Sequence, residues 1–267
     1  MGANRRMGWW QGLKAGWTSW RRARGAGRPV LTVVRFSDGT SDYFHELLGA
    51  AFAAADMPVE LDFLDDVPQP RINALLDSDS LTLHWFLRNE ERYTRWAPVP
   101  FGLTHGLVGR RILLIRPADQ PLYDTVRTID DFRALGRIGG FGVEWYDTKV
   151  WQANELPVLE QPGDWRVLYR MVAGGTVDYF SRAVTEIQGE AALHPELAIE
   201  RHLLFHYERD QRFFLSRRHA DLAPVLAEGL ARLSADGTVD ALIAKHYGER
   251  LSPLALDKRV LLRLRRP

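Results

Sequence analysis

Short apolar runs alternate with segments of helical periodicity from residue 29 onward. The run Val30-Leu31-Thr32-Val33-Val34 is β-branched and too short for a helix, so it predicts a buried strand. A helix is predicted to begin near Tyr43, with Ser41 or Asp42 as its cap. Its inner face carries Leu47, Leu48, Ala51, Phe52 and Ala55. This stretch therefore predicts a strand, a loop and a helix in succession.

The alternation continues through the chain. Further strands are predicted at 59–63, 81–86, 112–115, 137–143, 156–158, 177–180, 203–205 and 213–216. Helices are predicted between most of them, with Thr128 as one cap and Asp147 or Thr148 as another. Strands that alternate with helices predict an α/β fold with mainly parallel sheets flanked by helices. With 267 residues, 46% of them apolar, the chain can form one large domain or two lobes.

Charge is distributed unevenly along the chain. Residues 1–28 carry seven basic and no acidic side chains, and residues 251–267 read as a basic C-terminal tail. Residues 29–250 hold 33 acidic and 23 basic side chains. Because an acidic body repels a phosphate backbone, no nucleic-acid partner is expected in spite of a pI near 8.1.

The first 28 residues place Trp9, Trp10, Leu13, Trp17 and Trp20 at helical spacing among glycines and basic residues. No uninterrupted apolar core of a secretory signal is present. Three interpretations stay open: an interfacial helix, a degenerate export signal, or upstream sequence included by a misplaced start codon. In each case the segment is expected to lie outside the fold.

The sequence offers little for catalysis or metal binding. It contains no cysteine, so disulfides, thiolate metal sites and cysteine nucleophiles are excluded. Neither a Gly-x-Ser-x-Gly, a His-Glu-x-x-His nor a phosphate-loop motif occurs, and the eight histidines are scattered. We expect no enzyme activity and no cofactor.

The segment from Leu222 through Gly237 to Tyr247-Gly248 resembles the end of family 3 extracellular solute-binding proteins, which bind polar amino acids. Asn89-Glu90-Glu91-Arg92 resembles the family's Thr-x-x-Arg segment, and Gly174-Gly175-Thr176-Val177-Asp178 resembles its Gly-x-x-Asp strand. Residues 137–148 resemble the loop whose backbone amides face the ligand. The resemblance covers about 30–248 and implies a two-lobed fold of the type 2 periplasmic-binding-protein class.

The resemblance also implies a domain organisation. Residues 29–108 and 212–250 would form lobe 1, residues 109–211 would form an inserted lobe 2, and two crossing strands would act as a hinge. The ligand would lie in the cleft between the lobes.

If the resemblance holds, lobe 1 would contribute Arg92, Asn89 and Tyr43 to the ligand site. Arg92 would hold a ligand carboxylate with both guanidinium nitrogens. Asn89 stands where the family has threonine, and Tyr43 lies in the first strand–helix loop. The alternatives are a surface arginine paired with Glu90 or Glu91, a turn asparagine, and helix capping around Tyr43.

Lobe 2 would contribute Trp145, Asp147, Thr148, Asp178 and Arg182. Trp145 would supply a stacking wall beside backbone N–H groups near Asp147 and Thr148, although ordinary loop chemistry explains the same residues. Arg182 and Ala183 stand where amino-acid binders place a second acid, which suggests a more anionic ligand. Glu186 could compensate, and Arg182 could equally be a solvated residue at the strand end.

The first hypothesis is a non-catalytic, monomeric, periplasmic protein that binds a small amino-acid-like or carboxylate solute. It would deliver the solute to an ABC transporter permease or a membrane sensor. The alternatives are a sensory or degenerate domain without a transport role and a dehydratase-like enzyme on the same fold. In the enzyme, a carboxylate such as Glu144, Asp147 or Asp178 would be the acid or base.

Overall fold

A computed structural model describes residues 28–37, 39–88, 90–143 and 145–267. The tryptophan-rich segment before Arg28 lies outside the described residues, as do Asp38, Asn89 and Glu144. The described chain divides into two units. Unit 1 contains the described residues up to Leu103 together with Gln211–His246, and unit 2 contains Thr104–Asp210 with Tyr247–Pro267. The sequence predicts boundaries at 108/109 and 211/212, and the structure divides the chain at 103/104 and 210/211.

Before residue 104, strands alternate with helices, as the apolar runs and the amphipathic segments of the sequence predict. They are β1 (Val30–Arg35), α1 (Asp42–Ala54), β2 (Glu60–Asp65), α2 (Gln69–Asp77), β3 (Leu83–Leu87), α3 (Glu90–Arg95) and β4 (Ala97–Pro98). Pro68 precedes α2 and Pro70 occupies its first turn, where a missing backbone N–H costs no hydrogen bond.

The middle of the chain supplies most of unit 2. Its elements are β5 (Arg110–Ile115), α4 (Gln120–Tyr123), α5 (Ile129–Ala134), β6 (Gly139–Gly142), α6 (Tyr146–Ala153), β7 (Val158–Gln161), α7 (Val167–Ala173), β8 (Tyr179–Ala183), α8 (Ile187–Leu193), β9 (Ala198–Ile199) and β10 (Leu203–His206). Thr128 caps α5 as predicted, because its side chain accepts from Asp131 N while the Asp131 carboxylate accepts from Thr128 N.

The last part of the chain returns to unit 1 and then to unit 2. Its elements are β11 (Gln211–Leu215), α9 (Ala223–Ala235), α10 (Thr238–Leu251) and β12 (Val260–Arg263). In unit 1, β1 pairs with β2 in parallel, and β11 pairs antiparallel with both β3 and β4. Helix α9 packs on α1 so closely that a Cβ on Gly229 would meet the Ala51 carbonyl oxygen at 1.8 Å.

One sheet organises unit 2, in the order β12-β10-β5-β8-β6-β7, with β9 also paired to β5. Strand β6 runs parallel to β7 and β8, and β12 runs parallel to β10. Strand β5 is antiparallel to β8, β9 and β10. The carboxyl ends of β6 and β8 therefore lie at the same edge of the sheet.

Each unit has its own apolar core. In unit 1, one cluster gathers Val34, Ile72, Leu76, Leu81, Phe86, Trp96 and Phe214. In unit 2, a larger cluster gathers residues such as Leu113, Phe132, Phe141, Trp151, Tyr179, Phe205 and Leu262. Burying each such side chain contributes about 1.5–3 kcal/mol, so both cores stabilise their own units.

Three local expectations are corrected. Ser41 precedes α1 without a side-chain cap, because its hydroxyl accepts from Phe36 N at 3.0 Å instead. Trp145, rather than Asp147 or Thr148, is the residue that precedes α6. The segment 251–267 is more than a basic tail, since it contributes β12 to the sheet of unit 2. Among the described residues, no helix combines the length and apolarity needed to cross a bilayer.

Candidate functional site

The loop after β6 brings three of the predicted ligand residues together in unit 2. Strand β6 is glycine-rich because large side chains lie against its backbone. A Cβ on Gly139 would meet the Tyr179 ring at 2.6 Å, and one on Gly142 would meet the Trp145 indole at 2.5 Å. The glycines thus let Trp145 fold back over the end of the strand, where it stays half-buried.

Thr148 ties the first turn of α6 to the end of β6. Its backbone N–H donates to the Trp145 carbonyl at 3.1 Å, and its hydroxyl donates to the Gly142 carbonyl at 3.4 Å. Thr148 is 2% exposed. Its hydroxyl proton is therefore committed to the backbone, and the residue shapes the loop from within.

Asp147 belongs to a buried polar network. Its carboxylate accepts from the Arg111 guanidinium at 2.8 Å and from the Tyr207 hydroxyl. Arg111 Nε also donates to the Tyr207 hydroxyl oxygen at 3.1 Å. Burial would lower the pKa of Arg111, but Asp147, Tyr207 and Glu186 together outweigh burial and raise that pKa. The three side chains therefore hold one another in place by charge-assisted hydrogen bonds.

Arg182 lies near Trp145 at the end of β8, with its own set of partners. Its guanidinium donates to Glu190 at 2.6 Å and to Glu186 at 2.9 Å, and it stands 5.7 Å from the Trp145 ring centre. The rings of Phe180 and Trp165 lie at 4.9 and 5.0 Å. Burial lowers the pKa of Arg182, and the two glutamates more than reverse this, so its pKa is raised.

Asp178 lies at the other end of β8. Its carboxylate accepts from Ile138 N at 2.8 Å, from Arg137 at 3.1 Å and from Arg116 at 3.3 Å. Burial would raise its pKa, but these hydrogen bonds and charges hold the pKa below its ordinary value. Four residue steps separate it from Arg182, about 13 Å of strand. The structure therefore does not bring Asp178 together with Trp145, Asp147 and Arg182.

The unit 1 candidates lie on different elements. Tyr43 is 2% exposed, donates its hydroxyl proton to the Leu103 carbonyl and packs edge-on against Phe44 and His246. Arg92 on α3 donates to the Leu87 carbonyl at 2.9 Å and lies 4.6 Å from the centre of the Phe86 ring. The Arg92 side chain is thus anchored at the carboxyl end of β3. Asn89 lies outside the described residues.

Arg111, Tyr207 and Arg209 are functional candidates that sequence reasoning missed. Arg111 precedes an apolar run and reads as a strand edge, and Arg209 stands in the charged stretch Glu208-Arg209-Asp210, which reads as a solvated turn. Their partner Asp147 lies 36 residues from Arg111 and 60 from Tyr207. The antiparallel pairing of β5 with β10 brings them together, and no local pattern encodes it. No trio of His, Asp or Glu in the described chain could hold a metal ion.

Comparisons with known proteins add a fold assignment. No family model and no curated protein sequence matches this chain. Substrate-binding domain 2 of GlnP from Lactococcus lactis, in an open conformation, superposes with a TM-score of 0.55 at 14% identity, covering 84% of this chain and 97% of that one.

Two further solved structures agree. The amino acid ABC transporter substrate-binding protein AbpA from Streptococcus pneumoniae, bound to L-arginine, has a TM-score of 0.50 at 16% identity and covers 84% of this chain and 96% of its own. A Streptococcus mutans protein from work on glutathione import via GshT and the cystine importer TcyBC has a TM-score of 0.52 at 14% identity, covering 83% and 96%. These similarities confirm the predicted fold class, an α/β fold of the two-lobed periplasmic-binding-protein type.

Proposed function

We propose that this chain is a non-catalytic binding protein of the family 3 type that captures a small amino-acid-like or carboxylate solute. It passes the solute to an ABC transporter permease on the outer side of the cytoplasmic membrane, in the periplasm. The observation that supports the proposal is the extent of the fold match. The similarity to substrate-binding proteins of amino-acid transporters runs through more than four fifths of this chain and nearly the whole of theirs.

The chemistry of the candidate residues is compatible with an acidic ligand. Arg92 carries a fixed positive charge, and its bond to the Leu87 carbonyl and its stacking on Phe86 hold the guanidinium fork in one plane. The loop of unit 2 adds the half-buried Trp145 as an apolar wall. The predicted cleft between the lobes and its hinge strands stay predictions.

Other predicted contacts would require a rearrangement. A ligand ammonium at Asp178 would compete with Arg116, Arg137 and a backbone N–H. A ligand anion at Arg182 would compete with Glu186 and Glu190. Asp178 and Arg182 stay among the proposed ligand residues, as do Tyr43 and Asn89. The strongest candidates are Arg92 and the loop around Trp145 and Asp147. Asp178 and Arg182 are thus each paired with other side chains of this chain. This pairing favours the second candidate, a sensory or degenerate domain that has lost its ligand.

A thermal-shift screen of the full chain tests the proposal. The panel is the standard L-amino acids together with mono- and dicarboxylates. A solute present at 100 times its Kd stabilises the folded state by about 2.7 kcal/mol, which is a clear shift in Tm. We expect the shift to disappear in Arg92→Ala and to persist in Arg71→Ala, a matched control at an exposed arginine of the same unit. A panel without any hit would contradict solute binding and support the degenerate domain.

A further inference from the structure

A second arginine, Arg209, stands beside the Asp147 network and forms no salt bridge with a carboxylate of the described residues. The guanidinium carbon of Arg209 lies 3.9 Å from the centre of the Tyr146 ring. Arg111, Tyr146, Asp147, Tyr207 and Arg209 all belong to unit 2, and we refer to them as the Arg209 cluster.

Asp147 cannot neutralise both arginines of this cluster. One of its oxygens accepts from the Tyr207 hydroxyl and the other from Arg111 at 2.8 Å. Two guanidinium groups therefore share one carboxylate, and Tyr207 is a neutral phenol whose pKa is raised by burial. The cluster carries one positive charge in excess.

Arg209 is held in place but incompletely paired. Its Nη1 atom is buried and finds no hydrogen-bond acceptor among the described residues. Burial lowers its pKa, against the weaker pull of Tyr207 and Asp147. A buried N–H donor on a charged group is costly when it has no partner. The Tyr146 ring fixes the plane of the fork, so its donors are oriented before any ligand arrives.

We propose that Arg209, with Arg111 behind it, binds a carboxylate group of the captured solute. The inference rests on the proposed function and names the ligand chemistry at one of its subsites. A carboxylate accepts from a guanidinium fork in one plane, and its single negative charge balances the single excess positive charge of the cluster. A phosphate dianion would leave the subsite with an uncompensated negative charge, and a neutral amide would leave the positive charge unbalanced.

The test uses the full chain and acetate as the probe, so that it does not depend on knowing the natural ligand. The arginine Nε–Hε resonances are recorded by ¹⁵N–¹H NMR during titrations with sodium acetate, sodium phosphate and acetamide at constant ionic strength. Arg209→Lys assigns the Arg209 signal, and Arg201→Lys assigns an exposed arginine of the same unit as the control. Circular dichroism verifies that both variants fold.

We expect acetate to shift the Arg209 signal with saturation while the Arg201 signal stays in place and acetamide has no effect. Equal, unsaturated shifts at both arginines would overturn the inference, because they indicate ion screening alone. A stronger response to phosphate would overturn the carboxylate assignment.

A second measurement separates this inference from the proposed function. For any carboxylate found in the solute screen, Arg209→Gln should weaken binding at least 10-fold relative to the wild type. The two proteins should bind the matching carboxamide equally. An affinity for the carboxylate that is unchanged in Arg209→Gln would overturn the proposed subsite and leave the proposed solute binding intact. A saturable acetate response at Arg209 in a chain with no panel hit would support the subsite and contradict the proposed function.

Discussion

Arg111 and Asp147 form an ion pair whose side chains are 11% and 12% exposed. Removing one partner leaves the other charge buried, which costs about 3 kcal/mol or more, whereas removing both costs less than the sum. We therefore expect Arg111→Met and Asp147→Asn each to lower the free energy of unfolding by about 3 kcal/mol and the double variant to recover part of the loss. Urea denaturation of the four proteins measures the coupling.

The exposed pair Arg35–Asp65 is the matched control for that cycle. Its atoms approach to 2.7 Å, but both side chains are about half exposed and solvent screens the charges. The same cycle on this pair should give a coupling within experimental error. Equal coupling in the two pairs would show that the Arg111–Asp147 network is not enclosed.

His84 provides a pH-dependent contribution to stability. The side chain is 3% exposed, and burial lowers its pKa to about 3. The folded state therefore keeps it neutral while the unfolded chain takes up a proton below pH 6.5, so stability is lost as the pH falls from about 6.5 towards 3. Between pH 7 and pH 5 the wild type should lose about 2 kcal/mol more than His84→Phe, at 1.36 kcal/mol per pH unit.

Urea denaturation at the two pH values measures this difference. The control is Leu83→Val, a change without a titratable group at a buried position of the same strand. It should lower the free energy of unfolding by the same amount at both pH values. Parallel behaviour of His84→Phe and the wild type would mean that burial does not lower the pKa of His84 in the folded chain.

At the scale of the elements, β12 is the clearest addition to what the sequence predicts. It lies at the edge of the unit 2 sheet, paired in parallel with β10, and its side chains alternate between the core and solvent. Leu262 is 2% exposed, and its neighbour Leu261 is 43% exposed. Leu262→Ala should lower the free energy of unfolding by about 2–4 kcal/mol, and Leu261→Ala by less than about 0.5 kcal/mol.

This pair of variants on one strand is its own control, because the two changes remove the same atoms from opposite faces. Denaturant unfolding followed by far-ultraviolet circular dichroism measures both. Equal, small effects would mean that residues 251–267 are a tail in solution, as the charge pattern first suggested.

The sequence predicts the elements whose apolar residues form a clear pattern and misses those in which the pattern is absent or is interrupted by charged residues. Strand β1 is recognised by its short β-branched run and helix α1 by its helical periodicity. The capping residue Thr128 marks the start of α5. Helix α3 has no buried residue, so it offers no periodic signal, and arginines interrupt the short apolar run of β12. The Arg111–Asp147–Tyr207 network depends on strand pairing between distant segments, which neither propensity nor spacing specifies.

At the scale of the whole chain, the fold constrains function without defining it. Two-lobed α/β proteins support binding and other activities on similar frameworks, so function has to be argued from the site. Residues 29–250 carry an excess of acidic side chains, and Arg92 and Arg209 both stand within this stretch. Because a net negative charge repels a long polyanion more strongly than a small anion, a small anion is the better ligand for either arginine.

A binding protein and an enzyme on this fold differ in what happens to the bound solute. A binding protein stabilises the ground state of its ligand and releases it intact, whereas a dehydratase needs a carboxylate free to exchange a proton. The carboxylates of Asp147 and Asp178 are both engaged by arginine guanidinium groups, which opposes such an exchange. We therefore expect any solute from the panel to be recovered unchanged after prolonged incubation with the full chain, as measured by ¹H NMR of the filtrate. Conversion of many equivalents of solute per protein into a new compound, or uptake of solvent deuterium at one of its carbons, would instead establish an enzyme, with Asp147→Asn as the first variant to abolish that activity.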